Sequence, residues 1–161
     1  MSDSHDNLPR VAQAVAFFNR AGVELVVHAG DIISPFCSIE LKKLKAPFVA
    51  VFGNNDGERA MWREAIRGWG EIHNGPYEFA WNGCEFLIMH APSHIDELAS
   101  EGKYDAIVYG HTHRVDRRTV GKTLVLNPGE CGGWLSGTST VATVSFPEKA
   151  VNIVDLDAPD I

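Results

Sequence analysis

No apolar run in this 161-residue chain reaches the roughly 18 residues that a membrane span needs, and no signal-peptide pattern is visible. A membrane partner is therefore not expected. Cysteine is scarce: Cys37, Cys84 and Cys131 are odd in number, widely spaced and without a CxxC pair. That excludes a disulfide framework or a zinc knuckle and makes a reducing cytoplasm the expected compartment. Basic residues are in deficit, 14 Lys and Arg against 21 Asp and Glu, for a net charge of −7. A broad nucleic-acid face would need a basic patch, so nucleic acid is expected here only as a phosphodiester substrate. The glycine-rich loop Gly129 to Gly137 contains no lysine and opens no helix, so it is not a phosphate-binding P-loop. There are no repeats, linkers or low-complexity segments, and the length suits one domain, residues 1–161.

What is present is an alternation of strand-like and helix-like stretches. Leu8, Val11, Val15 and Phe18 share one helical face, with Pro9 in the first turn, Asp6 or Asn7 as N-cap and Gly22 just past the end. Strands are predicted at Glu24–Ala29, Pro47–Phe52, Tyr77–Trp81, Cys84–Met89 and Tyr104–Tyr109, with Asn82-Gly83 as a hairpin turn. Helices are predicted at Pro35–Leu44, Glu58–Arg67 and Ser93–Ser100, the last with a capping box from Ser93 to Asp96. Thr123–Leu126, Ser139–Phe146 and Ala150–Leu156 add a closing run of strands. The pattern predicts an α/β layered sandwich of two mixed β-sheets flanked by helices.

Four of the predicted strands end alike, at a glycine or turn beside Asp, Asn or His: Asp31, Asn54, His90 and the pair His111 and His113. The i, i+2 spacing of that pair puts both imidazoles on one side of an extended backbone. In open α/β sheets ligands bind beyond the carboxyl ends of strands, so these residues can converge. With Asp3 and His5 the set holds two Asp, one Asn and four His, more than one ion needs. Two ions sharing a carboxylate would use all of them, an arrangement suited to phosphoryl transfer.

In order and spacing, Asp3-x-His5, Gly30-Asp31, Gly53-Asn54-x-Asp56, His90 and Gly110-His111-x-His113 resemble the calcineurin-like metallophosphoesterases, in particular their small stand-alone bacterial and archaeal phosphodiesterases. The resemblance covers essentially the whole chain. It implies a four-layer metallophosphoesterase fold and hydrolysis of phosphodiesters, or monoesters, by a metal-bound hydroxide. It also implies two divalent ions, drawn from Mn, Ni, Fe, Co or Zn. Asp3, His5 and His113 would hold the first, Asn54, His90 and His111 the second, and Asp31 would bridge. Asp31, Asn54, His90 and His111 would then be catalytic through the metals, with Asn55 and Asp56 behind them. The partner implied is a small phosphorylated substrate; a homo-oligomer is left open. The competing expectation is a catalytically weak scaffold on the same fold that binds proteins.

Three departures from the family pattern carry expectations of their own. Only Met1-Ser2 precede Asp3, where the family has an apolar strand, so an upstream strand is expected to be missing from this sequence. Asn55 stands where relatives carry a histidine thought to contact the phosphate or protonate the leaving group, and asparagine cannot supply a proton. Low turnover or a need for good leaving groups follows. After His90 the usual second histidine is absent and His94 is the nearest substitute. Several residues carry simpler readings: His28 as a packing or hydrogen-bonding group, His73 as a loop residue, Asp56 as a helix cap, Asn127 as a turn residue and Arg59 as a solvated helix charge. Trp134 and Leu135 line either a pocket or a subunit contact.

Overall fold

The structure is a computed structural model and describes residues 1–158. Helix α1 (Leu8–Ala21) is capped as its sequence requires: the Asn7 side chain accepts from the Arg10 N–H, and Gly22 closes the helix in the left-handed region. Its buried residues, Val11, Ala14, Val15 and Phe18, follow the i, i+3, i+4, i+7 spacing. They pack on a parallel sheet of β1 (Val26–His28), β2 (Phe48–Val51) and β3 (Gly70–His73). A 3-10 turn at Pro35–Cys37, α2 (Ser38–Leu41) and α3 (Arg59–Ala65) complete this side, with Trp62 fully buried.

The second sheet has the order β4-β5-β6-β8-β7, from β4 (Tyr77–Trp81), β5 (Cys84–Ile88), β6 (Ala106–Val108), β7 (Val115–Val120) and β8 (Thr123–Pro128). It is mixed: β5, β6 and β8 run parallel, while β4 and β7 close its edges antiparallel. Helix α4 (Ile95–Ser100) covers its outer face through Ile95 and Ala99. Ala29, Val51, Ile88 and Val108 form the layer between the two sheets. The result is the expected helix, sheet, sheet, helix stack. A hairpin of β9 (Thr140–Ser145) and β10 (Ala150–Asp155) is hydrogen-bonded as a separate two-stranded unit.

Some local expectations fail for identifiable reasons. The Ser93 capping box does not form: His94 is the N-cap of α4 and no side chain caps the helix. The predicted helix over Pro35–Leu44 shrinks to a 3-10 turn and one α-turn. Strands β3 and β7 were not predicted; β7 alternates between half-buried and exposed residues and is rich in charge, so it lacks an apolar signal. His73 ends β3 and stacks on Tyr77 with ring centroids 3.5 Å apart.

Met1 to Asp3 run beside β1. The Met1 amino group donates to the Val27 carbonyl at 2.8 Å, and the Asp3 N–H donates to Gly30 O at 3.0 Å. On their other side the Cys131 N–H donates to Ser2 O. Behind Met1 is a cavity of about 860 Å³, lined by Val27, Phe86, Val108, Leu126, Ala142 and Val144 among others. It lies between β1 and β9, two strands that do not pair with each other.

Candidate metal centre

The carboxyl ends of β1, β2, β5 and β6 deliver Asp31, Asn54, His90 and His111 to one place. Three glycines let the backbones approach closely enough. A Cβ on Gly53 would stand 2.1 Å from Asp31 Oδ1, one on Gly110 2.7 Å from Asp3 Oδ2, and one on Gly30 2.7 Å from His90 Nδ1. The chain bends hard here. Asp3, His5, Asp31, His111 and His113 all have positive φ, between 44° and 69°. Each such residue costs about 1 kcal/mol or more, and strain of this kind persists where surrounding structure enforces it.

All seven candidate residues converge. Asp3, His5 and His113 present ligand atoms within 4.8 Å of one another, as do Asp3, Asp31 and His90. Asp31 Oδ2 is 3.7 Å from His5 Nε2 and 3.3 Å from His90 Nε2, so it stands between the two groups. Asn54 Oδ1 is 2.9 Å from both His90 Nε2 and His111 Nδ1. Asp3, Asp31 and His90 are buried and form the floor, while Asn54 and His111 are exposed at the mouth.

The donor set asks for positive charge. His90 Nδ1 is 2.9 Å from the Ala29 carbonyl, to which it donates. In the neutral ring Nε2 is then a lone pair facing the Asn54 and Asp31 oxygens, acceptor against acceptor, unless a proton or a cation intervenes. Burial alone would lower the His90 pKa, yet hydrogen bonding to Asp31 and Ala29 raises it. Burial likewise pushes Asp31 up, but bonds from His90 and Asn55 reverse this and hold its carboxyl well below the usual range. Asp3 is raised, because burial outweighs the Ser2 hydrogen bond and the nearby imidazoles. His5 Nε2 and His113 Nδ1 are buried without a hydrogen-bond partner. Convergent carboxylates and imidazole lone pairs, some orphaned, fit divalent cations with mixed nitrogen and oxygen ligands.

The supporting residues do more than their sequence readings assigned. Asp56 caps no helix, since α3 has Glu58 at its N-cap without a side-chain bond. Instead its carboxylate accepts the N–H groups of Asp31, Ile33 and Gly53 at 3.0, 2.7 and 2.6 Å, tying the β1 and β2 loops together. Asn55 donates to Asp31 through both its backbone N–H and its side-chain amide, at 2.9 and 2.7 Å. Asn127 is fully buried and pins the histidine turn, donating to Gly110 O and Thr112 Oγ1. Arg59 is an exposed charge on α3 as expected, and it also braces the loop, bonding the Gly53 and Asp56 carbonyls and lying over Phe52. His28 is a buried hydrogen-bonding group as expected, with Ser4 Oγ on one nitrogen and the Gly30 N–H on the other. His94 is exposed and pairs with Glu97.

Sequence reading missed Glu130. It is 1% exposed, lies 3.3 Å from His113 Nδ1 off the line of a hydrogen bond, and accepts three backbone N–H groups from the loop that follows. Burial raises its pKa, but hydrogen bonds from Ser136 and Leu135, with the His113 ring close by, bring it below the ordinary value. The only available signal was an acid inside an otherwise uncharged glycine-rich stretch.

Comparison with known proteins bears on this geometry. The calcineurin-like phosphoesterase superfamily domain matches residues 1–149. A phosphodiesterase from Methanocaldococcus jannaschii is 36% identical over 98% of this chain and 97% of its own length. A solved structure of an archaeal phosphodiesterase superposes with a TM-score of 0.89 at 36% identity, covering 96% of each chain. Vps29 from Chaetomium thermophilum shares the fold alone, with a TM-score of 0.65 at 11% identity over 96% of this chain and 92% of that one.

Proposed function

The chain belongs to the calcineurin-like phosphoesterase superfamily and is a metal-dependent phosphoesterase; from that premise we propose that it cleaves phosphodiesters using two divalent ions. Asp3, His5 and His113 would hold one ion, Asn54, His90 and His111 the other, with Asp31 shared. The observation that carries the reading is the placement of Asp31, within 4 Å of imidazoles from both groups and oriented by Asn55. When bound, such ions supply a water of lowered pKa and neutralise charge on the phosphate. The protein's own part is positioning. Asp56 and Asn55 fix the shared carboxylate, the Ala29 carbonyl sets the His90 tautomer, and Asn127 holds the turn carrying His111 and His113.

A diester rather than a monoester is supported by the relatives described as phosphodiesterases. Manganese, nickel, iron, cobalt and zinc all fit ligands of mixed nitrogen and oxygen without sulfur. A cytoplasmic location belongs to the same reading; among the described residues no helix is long and apolar enough to cross a membrane. We also read residues 1–161 as one domain. The competing scaffold reading gains no observation, because all seven candidate ligands are present and convergent.

The decisive experiment strips the metal, adds back Mn²⁺, Ni²⁺, Co²⁺ or Zn²⁺ in turn, and compares bis(4-nitrophenyl) phosphate with 4-nitrophenyl phosphate. Activity should return with a transition metal, favour the diester, and fall at least about a hundredfold in Asp31→Ala and Asn54→Ala. Undiminished metal-dependent activity in either variant would falsify the site.

A further inference from the structure

Among the described residues Trp134 and Leu135 are two of the few exposed large hydrophobic side chains, at 65% and 80% exposure. Their loop is not slack. The buried Glu130 carboxylate accepts the N–H groups of Trp134 at 2.8 Å, Leu135 at 3.1 Å and Ser136 at 2.7 Å. Such charge-assisted bonds are stronger than neutral ones. The Trp134 indole N–H donates to the His5 carbonyl at 3.1 Å, and the Asn7 side chain donates to Gly132 O at 2.7 Å. Gly133 is also confined: a Cβ there would stand 2.5 Å from Ser139 Oγ. The loop is thus tied to two residues of the first metal cluster, to His5 through the indole and to His113 through Glu130. Folding has fixed an indole and a leucine facing water beside that cluster, where burial against the core would have been more favourable.

We propose that Glu130 holds the loop so that Trp134 and Leu135 form an apolar wall beside the Asp3, His5 and His113 cluster, and that this wall receives an aryl or nucleobase group of the phosphodiester. The assignment rests on the phosphodiesterase reading of the site. With the phosphate at the cluster, one ester substituent can lie on the indole face. Stacking of a base or aryl ring on an aromatic side chain is worth about tenfold or more in affinity. Glu130 is a positioning residue and touches no substrate.

The test compares bis(4-nitrophenyl) phosphate with methyl 4-nitrophenyl phosphate, which share a leaving group but differ in the second substituent. In Trp134→Ala the KM for the bis-aryl diester should rise about tenfold, with kcat within about twofold. The KM for the methyl diester should shift far less. Trp134→Phe should restore most of the difference, and Glu130→Gln should raise the bis-aryl KM in the same direction. A readout independent of turnover is the emission of Trp134, taken as the difference between wild type and Trp134→Phe, titrated with diphenyl phosphate. Saturable quenching supports the wall. Equal loss with both diesters, or no change with either, overturns it. So does a Trp134→Ala variant with unchanged KM values and a smaller oligomer, which would assign the surface to a subunit contact. If wild type cleaves neither diester, the phosphodiesterase reading fails, and the quenching titration still decides for or against the wall.

Discussion

Replacing Gly53 with alanine tests whether glycine lets the β1 and β2 loops meet. The added Cβ would stand 2.1 Å from Asp31 Oδ1 and 2.5 Å from the Asp31 backbone nitrogen, where ordinary contact begins at 3.4 Å. The carboxylate oxygen must retreat by about 1.3 Å, and the backbone nitrogen has no rotamer to retreat into. Three hydrogen bonds depend on this approach: Gly53 N–H and Asp31 N–H to Asp56, and Asn55 N–H to Asp31. Each contributes about 1 kcal/mol net, and the overpacking itself costs about 1–3 kcal/mol. If only part of the hydrogen bonding is lost, Gly53→Ala should be destabilised by about 3–4 kcal/mol. For a domain of this size that corresponds to a fall of roughly 6–16 °C in Tm. Displacing the shared carboxylate should also weaken Mn²⁺ binding by at least about tenfold. Gly57→Ala is the control, since its Cβ would meet nothing within 4 Å. Urea unfolding of the metal-free protein and calorimetric metal titration read the two effects separately. A Gly53→Ala protein within about 0.5 kcal/mol of wild type, with unchanged metal affinity, would refute the packing argument.

Three further outcomes follow. Burial holds the His28 imidazole well below its ordinary value of 6.5, so the folded chain keeps it neutral while the unfolded chain protonates it. Its contribution to stability is whole above pH 6.5 and is lost as pH falls, by at most about 1.4 kcal/mol per pH unit. His28→Asn keeps an acceptor for the Gly30 N–H and should flatten that part of the urea-unfolding profile between pH 7.5 and 5; identical slopes would sink the assignment. Because Asn55 is committed to Asp31 and cannot donate a catalytic proton, diester turnover should fall steeply from 4-nitrophenyl to alkyl leaving groups, and equal rates would contradict this. Joining an apolar hexapeptide to the amino end of Met1 should fill the cavity between β1 and β9 and raise Tm by about 4 °C or more; an alternating Gly-Ser hexapeptide giving the same rise would exclude strand insertion.

Five of the seven candidate ligands adopt positive φ, and this explains why the site and its scaffold cannot be separated. Aspartate and histidine tolerate the left-handed region better than most residues, but not without cost. The turns are held by side chains that are not ligands: Asp56 across two loops, Asn127 under the histidine turn, Ser4 and His28 beneath the Asp3-x-His5 turn. Truncating any of these should misplace ligands without removing one.

By itself the sequence determined whatever depends on near neighbours. The face and caps of α1, the Asn82-Gly83 hairpin and the ends of β1, β2, β5 and β6 are set by periodicity and turn chemistry within a few residues. The seven candidate ligands were legible for the same reason, since each sits at a strand end or tight turn marked by glycine or a short polar run. Only the tertiary structure decided which residues hold those ligands in place. Asp56 and Asn127 read locally as a cap and a turn, and Glu130 gave almost no signal. Their distant partners lie 15 to 25 residues away along the chain, or across the glycine-rich loop. The Ser93 capping box and the long second helix failed by the same rule. A local motif offers the backbone one way to satisfy its hydrogen bonds, and packing chooses whether to use it.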